Sequence, residues 1–229
     1  MSLQKSKEQA NKHHYGLIDP MVKCLCNYID FDTIKTIYDI GSRDCLQSLE
    51  LLTAFPTSLI YAFEPNPESL STCISNIGTN KQITLVPVAV SDVNGEISFF
   101  AQDTEKSYDV NIGVSSIYKL MDKTPNNWQW VQKEIKVCSL TLNNYISNKN
   151  PSPDLIWIDV QGAELAVFKG ASDILPNVKA IFTEAGKIAY YHGHGMFNEI
   201  DTYLTSFGFK NVLEVPGHSW ESDFLYVKI

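Results

Sequence analysis

Apolar positions along the chain fall into short, β-branched runs separated by stretches of helical period. Residues 36–40, 59–63, 83–90, 134–139, 154–158 and 179–183 each read as a strand. Helical spacing fills 45–55, 67–76, 141–146, 164–169 and 196–207 between and after them. Ahead of the first strand, Leu17, Met21, Leu25 and Tyr28 or Ile29 recur at helical spacing after a polar lead-in. Asn94-Gly95 is a turn signal into residues 96–100, an expected antiparallel addition. The end of the chain, 211–215 and 224–227 around Pro216-Gly217, reads as a closing β-hairpin. Residues 101–133 lack a period and carry Tyr108, Tyr118, Trp128 and Trp130; an irregular stretch of this length usually has a functional role.

Strands that alternate with helices predict βαβ units and a parallel sheet covered on both faces. The expectation is an α/β, Rossmann-like fold: a mostly parallel doubly wound sheet with a C-terminal antiparallel hairpin. A helical preamble (1–33) precedes the catalytic-type domain (34–229), and no repeat or linker divides the remainder.

Composition narrows the partners. At 229 residues and 44% hydrophobic, one α/β domain with a full core is ordinary. The net charge of −8, with 18 Lys and Arg in no cluster, disfavours a nucleic-acid partner. No apolar run is long enough to span a membrane, and the N-terminal residues lack a secretory pattern. Five scattered cysteines, with Cys24 and Cys26 too close for a zinc knuckle, read as reduced thiols. The expected location is cytoplasmic; the sequence carries no signal for oligomeric state.

In a doubly wound sheet, ligands bind beyond the carboxyl ends of the strands, where strand order reverses. Asp39, Gly41, Glu64, Ser91, Asp92, Asp159 and Glu184 all fall at such ends. Glu64, 25 residues after Asp39, suits a ribose diol, which both nicotinamide and adenosyl cofactors possess. The first loop separates the two. A pyrophosphate needs a glycine-rich turn, whereas Gly41-Ser42-Arg43-Asp44-Cys45 offers one glycine and a carboxylate that would repel it. A nucleoside without phosphates fits better, and S-adenosylmethionine is the commonest cofactor of that kind.

The segments Tyr38-Asp39-Ile40-Gly41, Ala62-Phe63-Glu64-Pro65-Asn66-Pro67, Val88-Ala89-Val90-Ser91-Asp92 and Ile158-Asp159-Val160-Gln161-Gly162-Ala163-Glu164-Leu165, with Gly95, Gly170 and Glu184, resemble the FkbM methyltransferase family over roughly residues 36–212. The resemblance implies a class I methyltransferase fold and methyl transfer from S-adenosylmethionine to a hydroxyl of a sugar, glycan or other small metabolite. It puts Asp39 and Gly41 along the methionine of the cofactor and Glu64 on the ribose. It puts Asn66 near the adenine, Ser91 or Asp92 at its amine, and Asp159 and Gln161 at the reaction face. Ser42, Pro65 and Ala89 complete the expected cofactor site. The family's second loop glycine and asparagine are absent, and Arg43 is the expected substitute contact to the methionine carboxylate.

An alcohol acceptor must lose a proton as its oxygen takes the methyl group, which calls for a base within hydrogen-bond reach. Asp159, His192 and His194 are the candidates, with Asp159 first; its structural alternative is capping the helix that follows. Asp159, Glu164 and Glu184 together could bind a divalent metal, but the expectation is none. Tyr108, Tyr118, Trp128, Trp130, His218 and Trp220 either line the acceptor site or pack loops. The rival functions are methylation of nucleic acid or protein, and a non-catalytic cofactor-binding module. The Asn/Asp-Pro-Pro-aromatic tetrapeptide of amino-directed DNA enzymes is absent.

Overall fold

The computed structural model describes residues 2–12, 14–108, 110–124 and 130–229. The parallel strands form where the apolar runs predict them. β1 (Thr36–Ile40), β2 (Leu59–Phe63), β3 (Ile83–Val86), β7 (Leu155–Ile158) and β8 (Ala180–Gly186) run side by side in the order β3-β2-β1-β7-β8. β9 (Phe209–Pro216) and β10 (Glu221–Lys228) extend the sheet as the antiparallel hairpin, with β10 inserted between β8 and β9. Strand order reverses between β1 and β7, so a crevice opens at their carboxyl ends.

One face of the sheet buries Tyr38, Ile156, Ile181 and Tyr226 under α6 (Glu164–Lys169) and α7 (Phe197–Ser206). The other buries Ile37, Trp157, Phe182 and Leu225 under α1 (Ser2–Lys12), α2 (Asp19–Leu25) and α3 (Leu46–Ala54). The preamble therefore shares the core of the sheet. α1 lies in what reads as a polar lead-in. Long-range contacts tie it down: Ser6 Oγ accepts from Phe31 N at 2.9 Å, and Gln9 Nε2 donates to Ala54 O at 2.5 Å. Few apolar positions mark such a helix, because tertiary packing rather than an amphipathic stripe holds it.

The run 83–90 is not one strand. Pro87 lacks the N–H a central strand needs, and the chain leaves the main sheet there. Beyond it, β4 (Ala89–Val90) joins a second sheet with β5 (Gly95–Gln102) and β6 (Gln132–Leu140), in the order β4-β6-β5. α4 (Pro67–Ile77) and α5 (Leu142–Ser147) complete the fold. Among the described residues no helix is long and apolar enough to cross a membrane.

Candidate active site

Strand alternation builds the site. On the face that buries Ile37, Trp157, Phe182 and Leu225, the residues two positions nearer the crevice are Asp39, Asp159, Glu184 and Asp223. A hydrophobic floor, with Trp157 stacked on Phe182 at 4.3 Å, thus gives way to a row of carboxylates on four neighbouring strands. Asp223 stands directly opposite Glu184 in the β10–β8 ladder. Over Asp159, Glu184 and Asp223 of this row lies a cavity of about 850 Å³, walled by His14, Leu17 and Asp19 on the N-terminal side and by His218, Trp220 and Glu221 on the hairpin.

Beside the cavity is a narrow slot of about 50 Å³, lined by Phe63, Val88, Ala89, Phe99, Ile112 and Ile117, with Glu64 and Pro65 at its edge. Gly41, Arg43, Gly113, Asp159 and Gln161 line both spaces, so the two meet at the end of β1 and β7. Gly41 is at φ +85°, and a Cβ there would stand 1.8 Å from the Asp159 carbonyl oxygen. Only glycine allows the first loop to pass this close to the end of β7.

The slot's chemistry fits an adenosyl group. Its walls are apolar, and its buried carboxylate is fixed from behind: Arg43 N donates to Glu64 Oε2 at 2.8 Å and Asn66 N to Oε1 at 2.7 Å. Each oxygen retains a lone pair for a ribose hydroxyl. Burial lifts the Glu64 carboxyl to about 7, against the pull of those two N–H groups. The Arg43 guanidinium, 3.3 Å from Asp44, borders both spaces and can meet a methionine carboxylate.

Other expected cofactor residues stand further back. Asp39 is buried beneath the first loop; Ser48 Oγ donates to its Oδ2, while Oδ1 has no partner. Burial lifts its carboxyl to about 7. Ser42 is buried, with its hydroxyl directed at Phe63 O (3.4 Å). The Asn66 side chain caps α4 by accepting from Glu68 N at 3.1 Å. Ser91 and Asp92 do not border the slot. The Ser91 hydroxyl pairs with Ser139 at 2.8 Å and its carbonyl packs against Gly170, because the break at Pro87 swings this segment toward the second sheet. Of this segment, Val88, Ala89 and Val90 line the slot.

Asp159 lies on the cavity floor. Gln161, held at φ +54°, donates from Nε2 to Asp159 Oδ1 (2.8 Å) and toward Glu184 Oε1 (3.3 Å). Asp159 stays open to the cavity, and desolvation by the surrounding walls lifts it above the usual carboxylate range, opposed by the Gln161 donor and the Arg43 charge. Glu164 does the capping: its Oε1 accepts from Val160 N at 3.0 Å and Gly162 N at 3.3 Å. Its Oε2 is buried without a partner, and burial pushes the carboxyl up to about 8. One carboxylate oxygen from each of Asp159, Glu164 and Glu184 falls within 4.8 Å of the others, a possible divalent-cation set. Two of the three already share the Gln161 amide as a donor.

The two histidines lie off the cavity lining. His194 is wedged between Gly186 and Gly162, where a Cβ would stand 2.3 Å and 3.1 Å from its ring, and burial drops its pKa to about 4. His192 is exposed, with its backbone N bonded to Lys119 O at 2.8 Å. The Tyr191 hydroxyl sits 2.8 Å from Val114 O and 3.2 Å from Gln161 Oε1. Among the aromatics, Trp130, His218 and Trp220 line the cavity, whereas Tyr118 packs on Gly193 and Tyr108 is exposed. Trp128 lies outside the described residues. Glu221 and Asp223 are absent from the sequence-based set; the alternation of Asp223 with Leu225 is the signal that points to them.

Strand order, the crevice at the end of β1 and β7, and the slot with its buried glutamate define a class I methyltransferase. Over 99% of this chain and 58% of the other, the fold superposes on the FkbM methyltransferase of Methylobacillus flagellatus KT, with a TM-score of 0.53 and 12% identity. The Methyltransferase FkbM domain matches residues 39–210, and the chain belongs to that family, whose methyl donor is S-adenosylmethionine. It is similar to the 2-O-methyltransferase NoeI of Sinorhizobium fredii, at 32% identity over 75% of this chain and 71% of NoeI. It also matches the hexuronic acid methyltransferase AglP of Haloferax volcanii, at 26% identity over 64% of this chain; the matched segment spans 52% of AglP.

Proposed function

We propose that this enzyme methylates a hydroxyl of a sugar or glycan, with Asp159 as the base. The reading rests on one observation above all: Asp159 stands where the apolar slot that holds Glu64 opens into a larger, polar cavity. Both curated relatives are methyltransferases, one named for 2-O-methylation and the other for a hexuronic acid, which supports a carbohydrate acceptor. The wall of the cavity adds flat aromatic surface at the His218–Trp220 stack, suited to the apolar face of a pyranose.

S-adenosylmethionine supplies an electrophilic methyl group on a good leaving group. The chain's own work is orientation and proton removal. Alignment of reactants can supply on the order of 7–11 kcal/mol, and the cavity floor does this by fixing an acceptor hydroxyl against Asp159. Gln161 holds the Asp159 carboxylate in place through its amide hydrogen. A base whose pKa is raised above the usual carboxylate range accepts the proton more readily than an ordinary carboxylate. We further propose that no metal takes part, since an amide donor already bridges Asp159 and Glu184. Incubation with methyl-labelled cofactor and a panel of glycans, proteins and nucleic acids tests the acceptor class. Label on glycans that survives chelator, and is lost in Asp159→Asn, is the expected result. Label on protein or nucleic acid alone would overturn the acceptor, and loss on chelation restored by magnesium would overturn the metal-free reading.

A further inference from the structure

The acceptor cavity carries far more negative than positive charge. Asp159, Glu184, Glu221 and Asp223 all border it, and none has a Lys or Arg ion-pair partner among the described residues. Asp19, on the opposite wall, is matched by Lys23 at 2.5 Å. Arg43 is the one Lys or Arg of the lining, and it lies at the mouth of the cofactor slot beside Asp44.

We propose that Glu184, Glu221 and Asp223 set acceptor specificity, admitting neutral or amino-bearing sugars and rejecting sugars that carry a carboxylate. This rests on the sugar-acceptor reading and refines it. Glu184 and Asp223 face each other across the β8–β10 ladder, and Glu221 follows two residues along the same face of β10. Glu221 is held by the hydroxyl of Tyr190, and Trp220 beside it stacks on His218 with ring centroids 4.5 Å apart. The hairpin thus presents an aromatic plate flanked by hydrogen-bond acceptors, which suits hydroxyls and ammonium groups. A carboxylate placed there faces Glu184, Glu221 and Asp223 with no Lys or Arg on that wall, in a cavity whose low-dielectric walls focus any repulsion. Burial and the neighbouring acids lift Asp223 to about 7 and Glu184 well above its usual range, so the wall gains charge, and discrimination against a carboxylate, as pH rises. Glu221 and Asp223 lie beyond the family-matched segment, 39–210, whereas Glu184 lies within it.

The test compares a methyl hexopyranoside, its 2-amino analogue and its uronate. Binding is measured on protein saturated with S-adenosylhomocysteine, and initial rates with S-adenosylmethionine. The neutral sugar should exceed the uronate at least tenfold in kcat/KM and in affinity, with the amino sugar equal to or better than the neutral one. Glu221→Gln with Asp223→Asn should close that gap at least threefold; if the pair lowers Tm sharply, Asp223→Asn alone should close it in part. A uronate bound and methylated as well as the neutral sugar overturns the inference, as does a gap unchanged in every folded variant. If no sugar binds or is methylated, the sugar-acceptor reading falls and this inference with it.

Discussion

Glu164→Gln isolates the energetics of the turn that follows β7. Glu164 is 1% exposed, and one of its oxygens already serves two backbone N–H groups, while the other has none. Its carboxyl rises from 4.5 to about 8 on folding, with burial the largest cause and Asp159 adding repulsion. A group whose folded pKa is raised favours the fold while protonated. That advantage is complete below about pH 4.5 and drains away as pH climbs toward 8. At about 1.4 kcal/mol per pKa unit, the wild type should lose on the order of 2–4 kcal/mol at this one site between pH 5.5 and 8.5. Glutamine keeps the accepting oxygen, carries no charge, and turns an amide donor toward the neighbouring carboxylates. Urea unfolding of both proteins at the two pH values is the assay. The variant should match the wild type within about 1 kcal/mol at pH 5.5 and exceed it by roughly 2–4 kcal/mol at pH 8.5, a midpoint shift of about 1–2 M. Other buried acids, such as Glu64 and Asp39, titrate in both proteins and cancel in the difference. A midpoint gap that stays constant between the two pH values would refute the reasoning.

Three further outcomes are expected. Because the base works only when deprotonated, kcat/KM should rise with pH, with an apparent pKa above the usual carboxylate range; an acid limb at the ordinary carboxylate pKa would exclude a raised Asp159 from the rate. Arg43→Ala should weaken S-adenosylhomocysteine binding about tenfold by calorimetry while leaving its adenosine fragment bound as before, and equal losses for both would place Arg43 elsewhere on the ligand. The slot's 50 Å³ is smaller than an adenosyl group, and the proposed route of entry is outward movement of the segment 112–117, which forms one of its walls. Hydrogen exchange of these residues should change on cofactor addition, and an unaltered exchange pattern there would exclude this route of entry.

Much of the frame is legible in sequence because parallel strands buried on both faces read as unbroken apolar runs. β1, β2 and β7 follow directly, and with them Gly41, Glu64 and Asp159. Pro87 is a visible sign that 83–90 cannot all lie in a central strand, and overlooking it carries Ser91 and Asp92 into the cofactor site. The acidic wall is harder to see. Glu221 and Asp223 meet Glu184 only through antiparallel pairing of strands some forty residues apart, and register is not written in local pattern. The burial of His194 is hidden for a related reason: a loop histidine reads as exposed unless one knows that Gly162 and Gly186 make room for its ring.

Tyr191 has one hydroxyl hydrogen and two acceptors within reach, Val114 O and Gln161 Oε1. The carbonyl of Val114 is the nearer acceptor, and Gln161, whose amide donates to Asp159, is the farther. The Tyr191 hydroxyl therefore joins the segment 112–117, which walls the slot, to the residue that orients Asp159.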